Sequence, residues 1–191
     1  MKKLLSLGAV LCLVLGLSIS VNATENTKQG NDTVVSEAQA DLSEDMEKIQ
    51  KELERREILA SLFEADIETL RKALDKGVIT CRELTTYYME RIAAYNPEYN
   101  CFITFCDNVW EEADKRDAGL LAGNAQGKLF GIPVVIKDNM EYAGYYTTNG
   151  YSFKKSKIST RNAAVVQHLL DEGAVILGKT NMSTQAQDAR R

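Results

Sequence analysis

Histidine is almost absent from this chain: one, His168, in 191 residues. A Ser-His-Asp triad would have to rest on that imidazole, which falls in the helical run AAVVQHLLDEG beside Leu169 and Leu170, where a packing or surface role suits it better. The same scarcity leaves no set of His, Cys and acidic ligands at metal spacing, so a catalytic metal is not expected. An excess of basic charge is missing too: 23 Lys and Arg face 27 Asp and Glu. An acidic chain is a poor match for nucleic acid or an anionic membrane. Proline is scarce at 2, and with 45% apolar and 26% charged residues the composition is that of a globular chain rather than a disordered one. Cysteine is limited to 4 residues, and Cys81, Cys101 and Cys106 fit neither a disulfide framework nor a zinc spacing. Cys101 and Cys106 lie five apart in CFITFC, so on a strand they point to opposite faces and pair poorly. Buried, unreactive thiols are expected.

The first residues stand apart from the rest. Lys2 and Lys3 precede an apolar run from Leu4 to Val21, and Val21-Asn22-Ala23 offers a small residue for a signal peptidase. Residues 1–23 therefore read as a secretory signal, implying a secreted or cell-envelope protein with no stable membrane insertion once it is cleaved; an uncleaved anchor is the alternative. Without Lys2 and Lys3 the net charge becomes about −6. Residues 24–42 are polar and without apolar period, and read as an exposed tether. A helix is expected from Ser43 as its cap, with Met46, Ile49, Leu53 and Ile58 approximating one stripe.

The pattern then sharpens. A helix from about Ile67, carrying Ile67, Leu70 and Leu74 on one face, should stop at Gly77. Thr80 and Glu83 form a capping box for another, which Asn96-Pro97 should end. Residues 101–106 suggest a strand, NVWEEADKRDAGLLAG a helix closed by Gly123, IPVVIK a buried strand, NAAVVQHLLDEG a helix ended by Gly173, and AVIL another buried strand. Apolar strands alternating with helices predict an α/β layer fold with a largely parallel sheet. Gly173 to Thr180 also satisfies G-x-x-x-x-G-K-[ST] letter for letter. A phosphate-binding loop needs exposed backbone amides between strand and helix, whereas here the residues inside the pattern are the strand, so the match is taken as accidental.

In order and spacing, GKLFGIPVVIKDNM, YYTTNGYS and TRNAAVVQHLLDEGAVILGKTNMS resemble the N-terminal portion of the amidase signature family, over roughly 66–183 and including the helix and strand of ELTTYYMERIAAYNPEYNCFI. The resemblance implies a mixed β-sheet covered by helices, hydrolysis or transfer of carboxylic amides without a cofactor, and a small-molecule or peptide amide as substrate. It also implies a Ser, cis-Ser, Lys triad whose lysine is Lys137. A lysine at the end of a buried strand would be partly desolvated, which favours the neutral amine needed by a general base. Taken alone, the residue fits better a strand-end lysine snorkelling to water or paired with Asp138, and the resemblance reverses that preference.

One departure is large. The glycine- and serine-rich segment that carries both serines and the oxyanion amides in the family lies downstream of the Asn-Met block, and these 191 residues contain none; after Ser183 they read TQAQDARR. Ser183 is expected to cap a following helix, and Ser152, Ser156 and Ser159 to lie in a solvated, lysine-rich loop, none flanked by a glycine-rich turn that could supply oxyanion donors. The expected organisation is thus a signal over 1–23, a linker over 24–42 and, over 43–191, the front of an amidase domain cut before its serine segment. The first reading is part of an exported amidase; the second is a catalytically silent, truncated protein or binding module.

Overall fold

A computed structural model of the chain describes residues 31–151 and 158–184. The chain divides into two compact units, 1–50 and 51–191. The signal reading, Ser152 and Ser156 all lie outside the described residues.

Helix α1 covers Asn31–Ser61, contributing its residues up to Gln50 to the first unit. Its start corrects the expected boundary, since residues 31–42 of the supposed tether are helical. The polar composition hid this, but the segment contains neither Gly nor Pro to break a helix, and Ser43 lies inside it. In the first unit Lys48 pairs with Glu44 one turn away at 2.9 Å, while Leu42, Met46 and Ile49 stay exposed.

In the second unit, Arg55 on α1 forms an ion pair with Glu83 and also donates to the carbonyl of Val78. Leu59 is buried. Helix α2, Ile67–Asp75, is capped by Asp66, whose side chain accepts from the Thr69 amide at 2.8 Å; it buries Leu70, Ala73 and Leu74 and leaves Ile67 exposed. Helix α3, Cys81–Tyr99, has the expected capping box, with Thr80 N donating to Glu83 Oε2 at 2.7 Å and Glu83 N to Thr80 Oγ1 at 3.0 Å. It runs through Pro97 rather than ending there. The turn that Pro97 weakens is carried on to Asn100, which adopts a left-handed conformation at φ 48° and donates to the Asn96 carbonyl at 2.8 Å.

Strand β1, Phe102–Phe105, leads to helix α4, Val109–Leu121. The Asp117 carboxylate on α4 reaches back to accept from the amides of Cys81 and Arg82, at 2.6 and 3.0 Å. This satisfies first-turn donors of α3 that have no helical partner and binds the two helices together. Strand β2, Pro133–Lys137, helix α5, Ala164–Asp171, and strand β3, Val175–Thr180, complete the unit.

The sheet has the order β1-β3-β2, with β1 antiparallel and β2 parallel to β3. It is mixed, as the family resemblance implied, rather than largely parallel. β3 is central and buried along nearly its whole length, and Val175, Ile176 and Leu177 join Leu74, Leu84, Val109, Ile136 and Val166 in one core. β2 is not a buried strand. As an edge it alternates: Ile136 is buried, whereas Val135 and Lys137 are exposed. Pro133, which has no amide to donate, opens this edge strand, where a missing ladder bond is tolerated.

Gly178 lies within β3 rather than at its end. A Cβ there would sit 2.3 Å from the Thr104 carbonyl oxygen and 3.3 Å from Phe105 Cα, both backbone atoms of β1. Gly178→Ala is therefore expected to push β1 away from the central strand and destabilise the protein by about 1–3 kcal/mol, the range for overpacking a close contact, as read from the denaturant midpoint.

Candidate functional site

Lys137 is the last residue of β2, aligned with Thr180 of β3, and the preceding pair is Ile136 with Lys179. Side chains alternate along both strands, so the two lysines point to opposite faces of the sheet. Their environments differ completely. Lys137 is exposed, and among the described residues no side chain pairs with its amine. This corrects the expected desolvation of Lys137: β2 is an edge, and no described element covers the face that also carries Val135 and Phe105, each 43% exposed.

Lys179 is the buried lysine, with none of its surface accessible. Its Nζ donates to the Tyr146 carbonyl at 2.6 Å and to Thr147 Oγ1 at 2.8 Å, and lies 3.4 Å from Asp138 Oδ1. Burial lowers its pKa, and the neighbouring Asp138 carboxylate opposes that shift. Asp138, equally inaccessible, directs Oδ2 to Thr148, accepting from its amide at 3.2 Å and from its hydroxyl, with the Gly150 amide at 3.5 Å. Oδ1 receives no hydrogen bond among the described residues and faces the lysine. Asp138 therefore does not pair with its neighbour Lys137; the carboxylate is committed to the other face.

Around this pair the three sequence blocks converge. After Lys137 the chain turns at once, with Met140 N donating to the Lys137 carbonyl at 2.9 Å and Asp138 N to the Thr180 carbonyl at 3.1 Å. The Thr-Thr-x-Gly turn folds over that corner: Thr147 Oγ1 donates to the Met140 carbonyl at 3.3 Å and lies 2.9 Å from Ser159 Oγ. Ser159 is buried, not solvated as expected, because its backbone pairs with Gly144 and Tyr145 at 2.9 Å each. The turn ends on Asn149 and Gly150, both at positive φ. A side chain at Gly150 would meet the Ser183 carbonyl at 2.7 Å, so glycine lets the turn pack against the residues that follow β3. Ser183 precedes Thr184, and the helix it was expected to cap lies outside the described residues.

The remaining candidates separate cleanly. His168 is an exposed residue of α5. Residues 175–180 of the phosphate-loop match are strand β3, and its lysine is the buried partner of Asp138, so no amide cradle exists there. Cys81 and Cys106 are buried free thiols pushed up by burial to about 12 and about 11, which leaves little thiolate near neutrality. Cys101 departs from the expectation and is exposed. Among the described residues no group of His, Cys, Asp and Glu is placed to hold a metal, and no helix is long and apolar enough to cross a membrane.

Sequence reasoning missed the Lys179–Asp138 pair. Its signal was a lysine embedded in the buried strand AVILGKT, a position that demands a counter-charge.

Comparison with known proteins assigns the arrangement. The family described as Amidase matches residues 83–190. The chain is 41% identical over 122 residues to a subunit of the glutamyl-tRNA(Gln) amidotransferase of Azoarcus sp. (strain BH72), covering 63% of this chain and 25% of that protein. The crystal structure of the peptide amidase from Stenotrophomonas maltophilia superposes with a TM-score of 0.63 at 33% identity over 66% of this chain and 26% of that one. An amidase family protein from Bacillus anthracis str. Ames gives 0.63 at 34% identity over 69% and 27%. The chain thus spans about a quarter of the length of these relatives. With more than half of its residues matched, and the lysine, Thr-Thr-x-Gly and Asn-Met blocks meeting at one corner of the sheet, the chain belongs to the amidase signature family.

Proposed function

We propose that this chain is the lysine-bearing part of an exported enzyme that hydrolyses carboxylic amides, with Lys137 as its general base. The observation that carries the reading is the placement of an amine, unpaired among the described residues, at the carboxyl end of a parallel strand, the end at which open α/β sheets present their ligands, with the adjacent carboxylate bound elsewhere. In the neutral form Lys137 accepts a proton from a bridging serine, which takes one in turn from the serine attacking the amide carbonyl; the proton then passes to the departing amine. Both serines belong to a glycine- and serine-rich segment that is not among these 191 residues. The substrate class is a small or peptide amide. The apolar leader run favours an amide outside the cytoplasm over the tRNA-linked one named in the amidotransferase relatives.

The test is the intact mass of the native product, captured with an antibody to residues 66–183, followed by its turnover of simple amides. A mass far above 21.2 kDa together with amide turnover is the expected result. A polypeptide of these 191 residues should release no ammonia or amine from such substrates. Turnover by it, lost on Lys137→Ala, would overturn the relay through serines.

A further inference from the structure

We propose that Lys179 is a positioning residue for Lys137, acting through the corner it ties together on the opposite face of the sheet; this rests on the amide-hydrolase reading above. Three segments meet at its ammonium. Through the carbonyl of Tyr146 and the hydroxyl of Thr147 it holds the segment that leads into the Thr-Thr-x-Gly turn. Across 3.4 Å it faces Asp138, the residue that directly follows Lys137. Its own backbone belongs to central β3, which sets the register of β2.

Asp138 relays the constraint. Its amide is fixed to the Thr180 carbonyl and its carboxylate to Thr148 and Gly150, so the chain leaving Lys137 is held on both sides. Met140 closes the same turn on the Lys137 carbonyl. β2 is an edge strand, with neighbours on one side only among the described residues. The direction in which Lys137 presents its amine is thus fixed by β3 and by this corner.

A purely structural lysine and a positioning lysine make different predictions once the buried charge is balanced. In Asp138→Asn/Lys179→Met no uncompensated carboxylate remains, and the asparagine oxygen still accepts from Thr148. That variant should recover the part of the stability lost by Lys179→Met that comes from the stranded charge, but it lacks the bonds to Tyr146 and Thr147. In the full-length native product its kcat per folded molecule is expected to fall about 10- to 100-fold with KM within about threefold, the signature of a displaced catalytic group. A second measurement needs no turnover: competitive acetylation of Lys137 against the surface residue Lys72, read by mass spectrometry, should change at least about threefold in the paired variant. Wild-type kcat and wild-type Lys137 acetylation in the stable paired variant would overturn the proposal. If Lys137→Ala leaves amide turnover intact, the functional reading fails instead, and the acetylation ratio alone decides whether Lys179 orients Lys137.

Discussion

Replacing Lys137 by alanine in the full-length native product is expected to lower kcat by about 10²- to 10⁴-fold, the range supplied by a positioned general base, with KM nearly unchanged. The fold should survive, because the side chain is exposed, ends an edge strand and pairs with no described residue. Unfolding midpoints of variant and parent should accordingly agree. Lys137→Arg is the sharper control. A guanidinium keeps the approximate length and the charge of the side chain but stays protonated throughout the pH range in which a protein remains folded, so it cannot take a proton, and it should be as inactive as alanine. An arginine variant with substantial turnover would remove Lys137 from the proton relay.

Most elements were legible in the sequence because their signals are local. The Thr80–Glu83 capping box, the glycines at 77, 123 and 173 and the apolar period of α2 each specify a helix boundary or face within one or two turns of chain. Burial of individual strand residues was less legible, because it depends on which strand becomes central. IPVVIK and AVIL read alike as apolar runs, yet among the described residues β3 is enclosed by two neighbours while β2 has one and exposes Val135 and Lys137. The order of the sheet is a long-range property, and it exchanges the fates of the two lysines. The residue expected to be desolvated is exposed, and the one dismissed with the phosphate-loop pattern is fully buried. Similarly, Asp138 next to Lys137 in sequence suggested a pair between neighbours, but Asp138 opens the turn after β2, and its carboxylate found its partner on β3.

The largest loss of stability is expected at that buried pair. Lys179→Met retains most of the aliphatic stem of the lysine and so creates little cavity, which isolates the electrical consequence of the change. What remains is a carboxylate with no accessible surface, facing the methionine with the oxygen that already lacked a hydrogen bond. Removing one member of a buried pair costs about 3–5 kcal/mol, more than the pair itself is worth, because the surviving charge keeps its desolvation penalty and loses its compensation. Two more groups lose a bond in the same step, the Tyr146 carbonyl and Thr147 Oγ1. Asp138→Asn should be milder, since a buried lysine can shed its proton and burial already lowers the Lys179 pKa. Chemical denaturation of the native product and the three variants gives the ordering: Lys179→Met least stable, with Asp138→Asn and the paired replacement both above it, the latter below the parent by the cost of the lost bonds to Tyr146 and Thr147. A paired variant no more stable than Lys179→Met alone would mean that the loss comes from the bonds to Tyr146 and Thr147, and that the charge on Asp138 contributes little to it.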